Sequence, residues 1–254
     1  MYFVAKPNEE AKSFIQAAGL TDETQMKAIG TLVFDLKNYN LWDKMKAIYP
    51  MVGQPGVSSS FAFNLKNPST FKGTFYGGWT FSSTGATPDG TTGYMDTGLN
   101  DSTYLNLNDV HFSVYLRTNS DGIKVDLGVY DINNKGVNIY TRLGNVQYTR
   151  LHEDDGATVA TTDSRGFRLG TRNIATSKNV FINNTKTSLS SNSNIKTNGN
   201  IYLGANNNVS ISTAVQFSDR ENAFASIGDG LTDTEAANFY TAVQRFQTTL
   251  GRQV

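Results

Sequence analysis

Six consecutive pieces decide the fold: SRGFRLGTRN (164–173), KNVFINNTKTSL (178–189), GNIYLGANNN (199–208), VSISTAVQF (209–217), ENAFASIGDG (221–230) and LTDTEAANFYTAVQRFQTTLG (231–251). The first five are short alternating runs punctuated by Asn, Ser, Gly or Thr, the residues that favour turns between antiparallel strands. Phe167, Leu169 and Thr171 share one face of their run, while Arg168 and Arg172 point the other way. Val209, Ile211, Thr213, Val215 and Phe217 repeat the alternation, so residues 209–217 are predicted as a strand. Each strand is expected to bury one face and wet the other. The sixth piece is a helix. Thr232 and Glu235 form a T-x-x-E capping box, and Ala236, Phe239, Val243, Phe246 and Leu250 recur at three- and four-residue intervals.

Working outward, residues 110–143 extend the β pattern. Phe112, Val114 and Leu116 share a face, as do Ile123, Val125, Leu127 and Val129, and a third run follows the turn at 133–136. Phe61, Phe63 and Leu65 open the β region, and residues 71–103 hold several turn signals, including Pro88-Asp89-Gly90. Residues 1–52 differ. Asn8 caps a predicted helix ending at Gly19, and Asp22 or Thr21 starts a second with Met26, Ile29, Val33 and Leu36 in a stripe. Leu41, Met45 and Ile48, with Trp42 beside them, suggest a third before Pro50. The division that follows is a helical anchor or appendage at 1–52, a Gly/Pro/Ser linker at 53–60, and a β-sandwich with its C-terminal helix at 61–254. Large residues in such short helices, Trp42, Met45, Ile48 and Tyr49, are the expected partner-binding surface.

The order of pieces resembles the closing half of concanavalin A-like (LamG-like) jelly-roll domains, on a strand ending L-G-x-R, "VFINN", "IYLG" and "GLTDTEAANFY". The wider texture, AFNLKNP, GGWTFSSTGATPDGTTGY and FASIGDGLTDTE, is similar to virion structural proteins of Bacteroidetes-type phages that carry such a domain. The resemblance covers residues 58–254. It implies a mainly β fold, a concanavalin A-like jelly-roll β-sandwich with an N-terminal helical region and a C-terminal helix. It also implies a tail, baseplate or capsid-surface component that decorates the particle or contacts host glycans. The alternative is a carbohydrate-binding or carbohydrate-cleaving protein of a bacterial cell.

Composition narrows the classes. The chain has 254 residues, 38% hydrophobic and 17% charged, enough for one large β domain with a small appendage. Lys and Arg total 22 against 22 Asp and Glu, so no net field draws it to nucleic acid or anionic membrane. It has no cysteine, which excludes disulfide and thiolate chemistry. The opening MYFVAKPNEE lacks a basic segment followed by an apolar run, and no stretch reaches the roughly 18 apolar residues of a membrane span. A soluble protein without a secretion signal, leaving the host cytoplasm inside a virion, is the expectation.

Catalytic signals are sparse. Retaining glucanases of the concanavalin-like fold resemble one another in an E-x-D-x-x-E or E-x-D-x-E strand motif, which places two carboxylates about 5 Å apart. Only Glu153 and Glu221, of six glutamates, fall in the β region, and neither has that motif. Residues 153–156, Glu-Asp-Asp-Gly, read as a solvated hairpin tip, with His152 beside them making a metal site conceivable. Asp121, Asp126 and Asp131 match no EF-hand spacing, and calcium is not carried over from the resemblance. His111 and His152 stand apart, without a G-x-S-x-G elbow. No catalytic residue, metal or cofactor is therefore assigned. The remaining surface is the polar face of the central strands. Tyr115, Arg117, Tyr140, Arg142 and Arg168 are predicted to face out, where tyrosines stack on sugars and arginines bond hydroxyls. The alternative for these five is ordinary exposure or contact with the N-terminal helices.

Overall fold

The computed structural model describes residues 8–133, 135–153 and 157–254. Helix α1 (Glu9–Ala18) is capped by Asn8, whose side chain accepts from the Ala11 N–H, and closed by Gly19 at φ 63°. Helix α2 (Glu23–Asn38) starts on Asp22. A 3-10 turn at Trp42–Lys44 leads into β1 (Met45–Tyr49), and one helical turn, α3 (Ser58–Phe61), follows. Next come β2 (Thr74–Tyr76), β3 (Trp79–Ser82), β4 (Gly85–Pro88), β5 (Tyr94–Asn100), the short α4 (Asp101–Tyr104) and β6 (Val110–Leu116). The meander continues with β7 (Leu127–Tyr130), β8 (Gly136–Leu143), β9 (Val146–Leu151) and β10 (Thr158–Ala160). Strands β11 (Gly166–Ile174), β12 (Ser177–Ile182), β13 (Thr185–Ser190) and β14 (Asn200–Leu203) follow. The chain closes with β15 (Asn206–Asn208), β16 (Thr213–Val215), β17 (Asn222–Gly228) and α5 (Asp233–Thr249), whose Thr232–Glu235 capping box is present on both sides.

Two sheets face each other. The first runs β13-β12-β11-β6-β17-β4-β3, with β1 also on β17; the second runs β10-β9-β8-β7-β14-β5-β2, with β15 and β16 attached through β7. Every pairing is antiparallel except β15 with β7. Between the sheets lie Phe112, Val114, Leu116, Leu127, Val137, Ile139 and Leu203. The first sheet is also covered on its outer face. There Tyr115, Phe167, Leu169, Phe181 and Phe224 pack against Phe14, Leu32, Phe239, Val243 and Phe246 of α1, α2 and α5. Burial on both faces explains why β6 and β17 are buried at every position. The arrangement is a mainly β sandwich with N-terminal helices and a C-terminal helix.

Four expectations change. Leu41, Met45 and Ile48 do not share a helix, because residues 45–49 pair with β17, Met45 opposite Gly228 and Tyr49 opposite Ala225. Residues 53–60 are packed rather than free. Gly53 accepts from Gln25 Nε2 at 3.3 Å, and a Cβ added to it would fall 2.2 Å from Ser60 Oγ. The boundary at residue 52 therefore runs through one packed unit. Residues 209–217 are not a strand but most of a hairpin: β15 and β16 pair, and Ile211 lies 62% exposed in the turn between them. The strand predicted from Ile123 likewise begins only at Leu127, leaving Ile123 exposed.

Candidate functional site

The five residues predicted as an outward ligand surface do not form one surface. Tyr115 does face away from the inter-sheet core, but the helices bury it, and its hydroxyl accepts from the Val254 N–H at 3.0 Å. Arg168 pairs opposite Val114 and so points between the sheets, where it donates to the Arg165 carbonyl at 2.9 Å and reaches Gln147 Oε1 at 3.5 Å. Arg117 is held by Glu221 at 2.9 Å and by the Arg252 carbonyl. Tyr140 and Arg142 lie on the other sheet: Tyr140 is mostly buried and donates to Gln216 at 2.9 Å, and Arg142 bonds Asn119 and Asn145. Trp42, Met45, Ile48 and Tyr49, expected at a partner surface, are all buried in the two apolar clusters. Strand pairing of residues 45–49 consumed the surface that a short helix would have exposed.

The acidic candidates are also interior. Glu153 is fully buried, bonded by Arg172 Nη2 at 2.5 Å and by Lys178 Nζ. It is not on a solvated tip, and Asp154, Asp155 and Gly156 lie outside the described residues. Arg172 and Lys178 reach it because they share with Arg168 the strand face that turns between the sheets, not the solvent-facing side the alternation suggested. His152 Nε2 lies 2.7 Å from Asp101 and Nδ1 3.0 Å from the Leu107 carbonyl, both inside. Asp126 is buried on Arg220, Thr141 and Ser218. Among the described residues no group of three or more His, Cys, Asp or Glu is arranged to hold a metal ion. Glu221, the other β-region glutamate, is engaged by Arg117 and, at 2.5 Å, by Thr84.

A surface the sequence reading missed lies on the outer face of the second sheet. Phe75, Met95 and Leu203 are register partners on β2, β5 and β14 and turn toward the core. Their neighbours Tyr76, Tyr94 and Tyr202 therefore turn to solvent. Tyr76 and Tyr94 stack with centroids 4.9 Å apart and planes at 14°, and Tyr94 and Tyr202 at 4.6 Å and 23°. These spacings match the roughly 4.8 Å between strands, so the three rings stand upright on the sheet like a short rack. Phe217 flanks Tyr94 at 6.5 Å. Tyr76 is on the edge strand and 45% exposed, which leaves one ring face open.

Hydrogen bonds tie down the turns beside the rack. Trp79 Nε1 donates to the carbonyls of Tyr76 at 3.1 Å and Tyr94 at 3.3 Å. Gly77, at φ 68°, lets the β2–β3 turn approach Thr92, whose carbonyl oxygen would lie 2.1 Å from an added Cβ. Asp89 gathers the N–H groups of Thr91, Thr92 and Gly93 at 2.9, 2.7 and 2.8 Å. These bonds, with the Thr92 hydroxyl foremost, hold its carboxyl well below the usual carboxylate range.

Among the described residues the hydroxyls of the rack are free. Those of Tyr49, Tyr115, Tyr130, Tyr140 and Tyr240 are bonded within the protein. Those of Tyr76, Tyr94 and Tyr202 have no hydrogen-bond partner among the described residues. Burial, then the negative charge of Asp96, pushes the Tyr202 phenol up to about 12, and burial with Tyr76 and Asp96 raises Tyr94. Tyr94 and Tyr202 thus stay protonated donors at any physiological pH. The signal was present at Tyr202: in "IYLG" the inward Ile201 and Leu203 force it outward. Tyr76 and Tyr94 sat in a stretch legible only as turns.

No protein-family model matches the chain, and no curated protein matches it. Solved structures do match. The botulinum neurotoxin serotype D binding domain superposes with a TM-score of 0.50 and 9% identity, over 79% of this chain and 52% of that one. The receptor binding domain of the botulinum neurotoxin C/D mosaic serotype gives 0.50 and 11%, over 79% and 51%. Domain 4 of an extracellular GH43 arabinanase from Geobacillus stearothermophilus, solved with arabinotriose, gives 0.47 and 13%, over 77% and 98%. The chain spans about half the length of the toxin domains it matches. The shared property is the fold, a β-sandwich.

Proposed function

We propose that this chain is a non-enzymatic, glycan-binding β-sandwich that meets carbohydrate on Tyr76, Tyr94 and Tyr202 and serves at the surface of a phage particle. The observation that carries the binding role is the rack: three aligned phenols whose hydroxyls find no hydrogen-bond partner among the described residues, ending in one open ring face. A sugar's apolar C–H face packs on an exposed ring, and its hydroxyls accept from phenols. That two toxin structures sharing the fold are called binding domains accords with this role. The particle role is supported by the likeness of residues 58–254 to virion proteins. Attachment through the N-terminal region, to other virion proteins or to a second copy, uses the outward face of α2, where Phe34 is 57% exposed. The buried Trp42, Met45, Ile48 and Tyr49 take no part.

The test is a glycan array probed with the full chain, beside Tyr76→Ala. Wild type should bind a restricted set of glycans. Tyr76→Ala should weaken those hits by roughly tenfold, the scale of one lost aromatic contact, with unchanged far-ultraviolet dichroism. No reducing ends should be released from any polysaccharide bound, because Glu153 and Glu221 are each neutralised by basic partners. A blank array, or a Tyr76→Ala chain that binds as well as wild type, rejects the reading.

A further inference from the structure

The rack carries a negative charge without a positive one. Asp96 lies on β5 between Thr74 of β2 and Tyr202 of β14, on the same outward face as Tyr94. Its Oδ1 accepts from the Gly98 N–H at 2.8 Å and its Oδ2 from Asn200 Nδ2 at 3.3 Å. Both donors are neutral. Among the described residues no lysine or arginine forms an ion pair with Asp96.

A carboxylate beside three phenols has a definite chemical preference. The phenols donate to sugar oxygens of any kind. The carboxylate accepts from hydroxyl and amine N–H groups, attracts an ammonium and repels another carboxylate or a sulfate. Tyr94 and Tyr202 are partly buried, so the charge acts in ground less screened than open water.

We propose that the tyrosine row selects its glycans by charge: it takes neutral sugars, favours amine-bearing sugars through Asp96, and excludes acidic ones. The inference rests on the glycan-binding reading above. Its charge is felt within the site, since Asp96 is among the causes that raise both Tyr94 and Tyr202.

The experiment uses the full chain with three oligomers of matched length: glucosamine, N-acetylglucosamine and galacturonate. At low salt the glucosamine oligomer should bind roughly tenfold tighter than its acetylated counterpart, an advantage that shrinks as salt rises. The galacturonate oligomer should not bind. Asp96→Asn keeps an acceptor for the Gly98 N–H and should erase the amine advantage, so that the glucosamine and N-acetylglucosamine oligomers bind that variant with similar strength. A second readout is spectrophotometric titration of the tyrosines, in which Asp96→Asn should lower the Tyr202 transition. Equal binding of galacturonate, or an amine preference that persists in Asp96→Asn, overturns the inference and leaves the glycan reading standing. A blank array removes both. Should the array show binding but none of the three oligomers bind, the titration decides, and an unmoved Tyr202 transition rejects the role of Asp96.

Discussion

His111 is held neutral by its surroundings. Its Nδ1 lies 2.6 Å from the Asp229 carbonyl, which can only accept, so the proton sits there. Nε2 then accepts from Ser226 Oγ at 3.1 Å, itself 2.7 Å from Ser113 Oγ. Burial pushes the imidazole down to about 4 from its ordinary 6.5. As pH falls, the unfolded chain takes up this proton first, so stability present above pH 6.5 is lost progressively toward pH 4. The loss should be on the order of 3 kcal/mol. Urea titrations at pH 7 and pH 4.5, compared with His111→Asn, check it: the variant should show a smaller drop than wild type, and equal drops would acquit His111. At this scale the sequence was half legible. Alternation correctly set Phe167 and Leu169 apart from Arg168 and Arg172, but it assigned water to the charged side. The helices reversed that, taking the apolar face and leaving the arginines to satisfy one another's neighbours between the sheets.

Elements whose signals are local were readable, and those that depend on distant partners were not. The Asn8 and Gly19 caps of α1 and the Thr232–Glu235 box of α5 involve residues a few positions apart, and they fall where the sequence put them. Residues 45–49 are a strand because β17, about 180 positions later, offers them an edge, and no local pattern contains that fact. The hairpin at 206–215 was hidden by an alternation that continues through its own turn. The helix α5 closes the outer core with Phe246, which lies against Phe224 at 6.2 Å and beneath the Arg252 guanidinium at 5.3 Å. Phe246→Ala should therefore destabilise the protein by about 3–5 kcal/mol, measured by chemical denaturation. A change below about 1 kcal/mol would mean that α5 is not part of the core.

At the scale of the whole molecule, the first sheet is a shared wall with a core on each side. Removing residues before Ser58 strips α1, α2 and β1 from it and bares Phe224, Phe239 and Phe246. Such a chain should aggregate or lose its β dichroism, whereas a compact, folded product in sedimentation would show that the helices are an appendage after all. The two interiors also differ in kind. The space between the sheets mixes apolar side chains with Glu153, Arg172 and Lys178, and with Asp126 on Arg220. Apolar contacts lose part of their driving force on cooling. Buried ions are most expensive when water solvates charge best, which is also in the cold. Both trends lean the same way, so hydrophobic burial and the buried ion pairs weaken together as this sandwich is cooled.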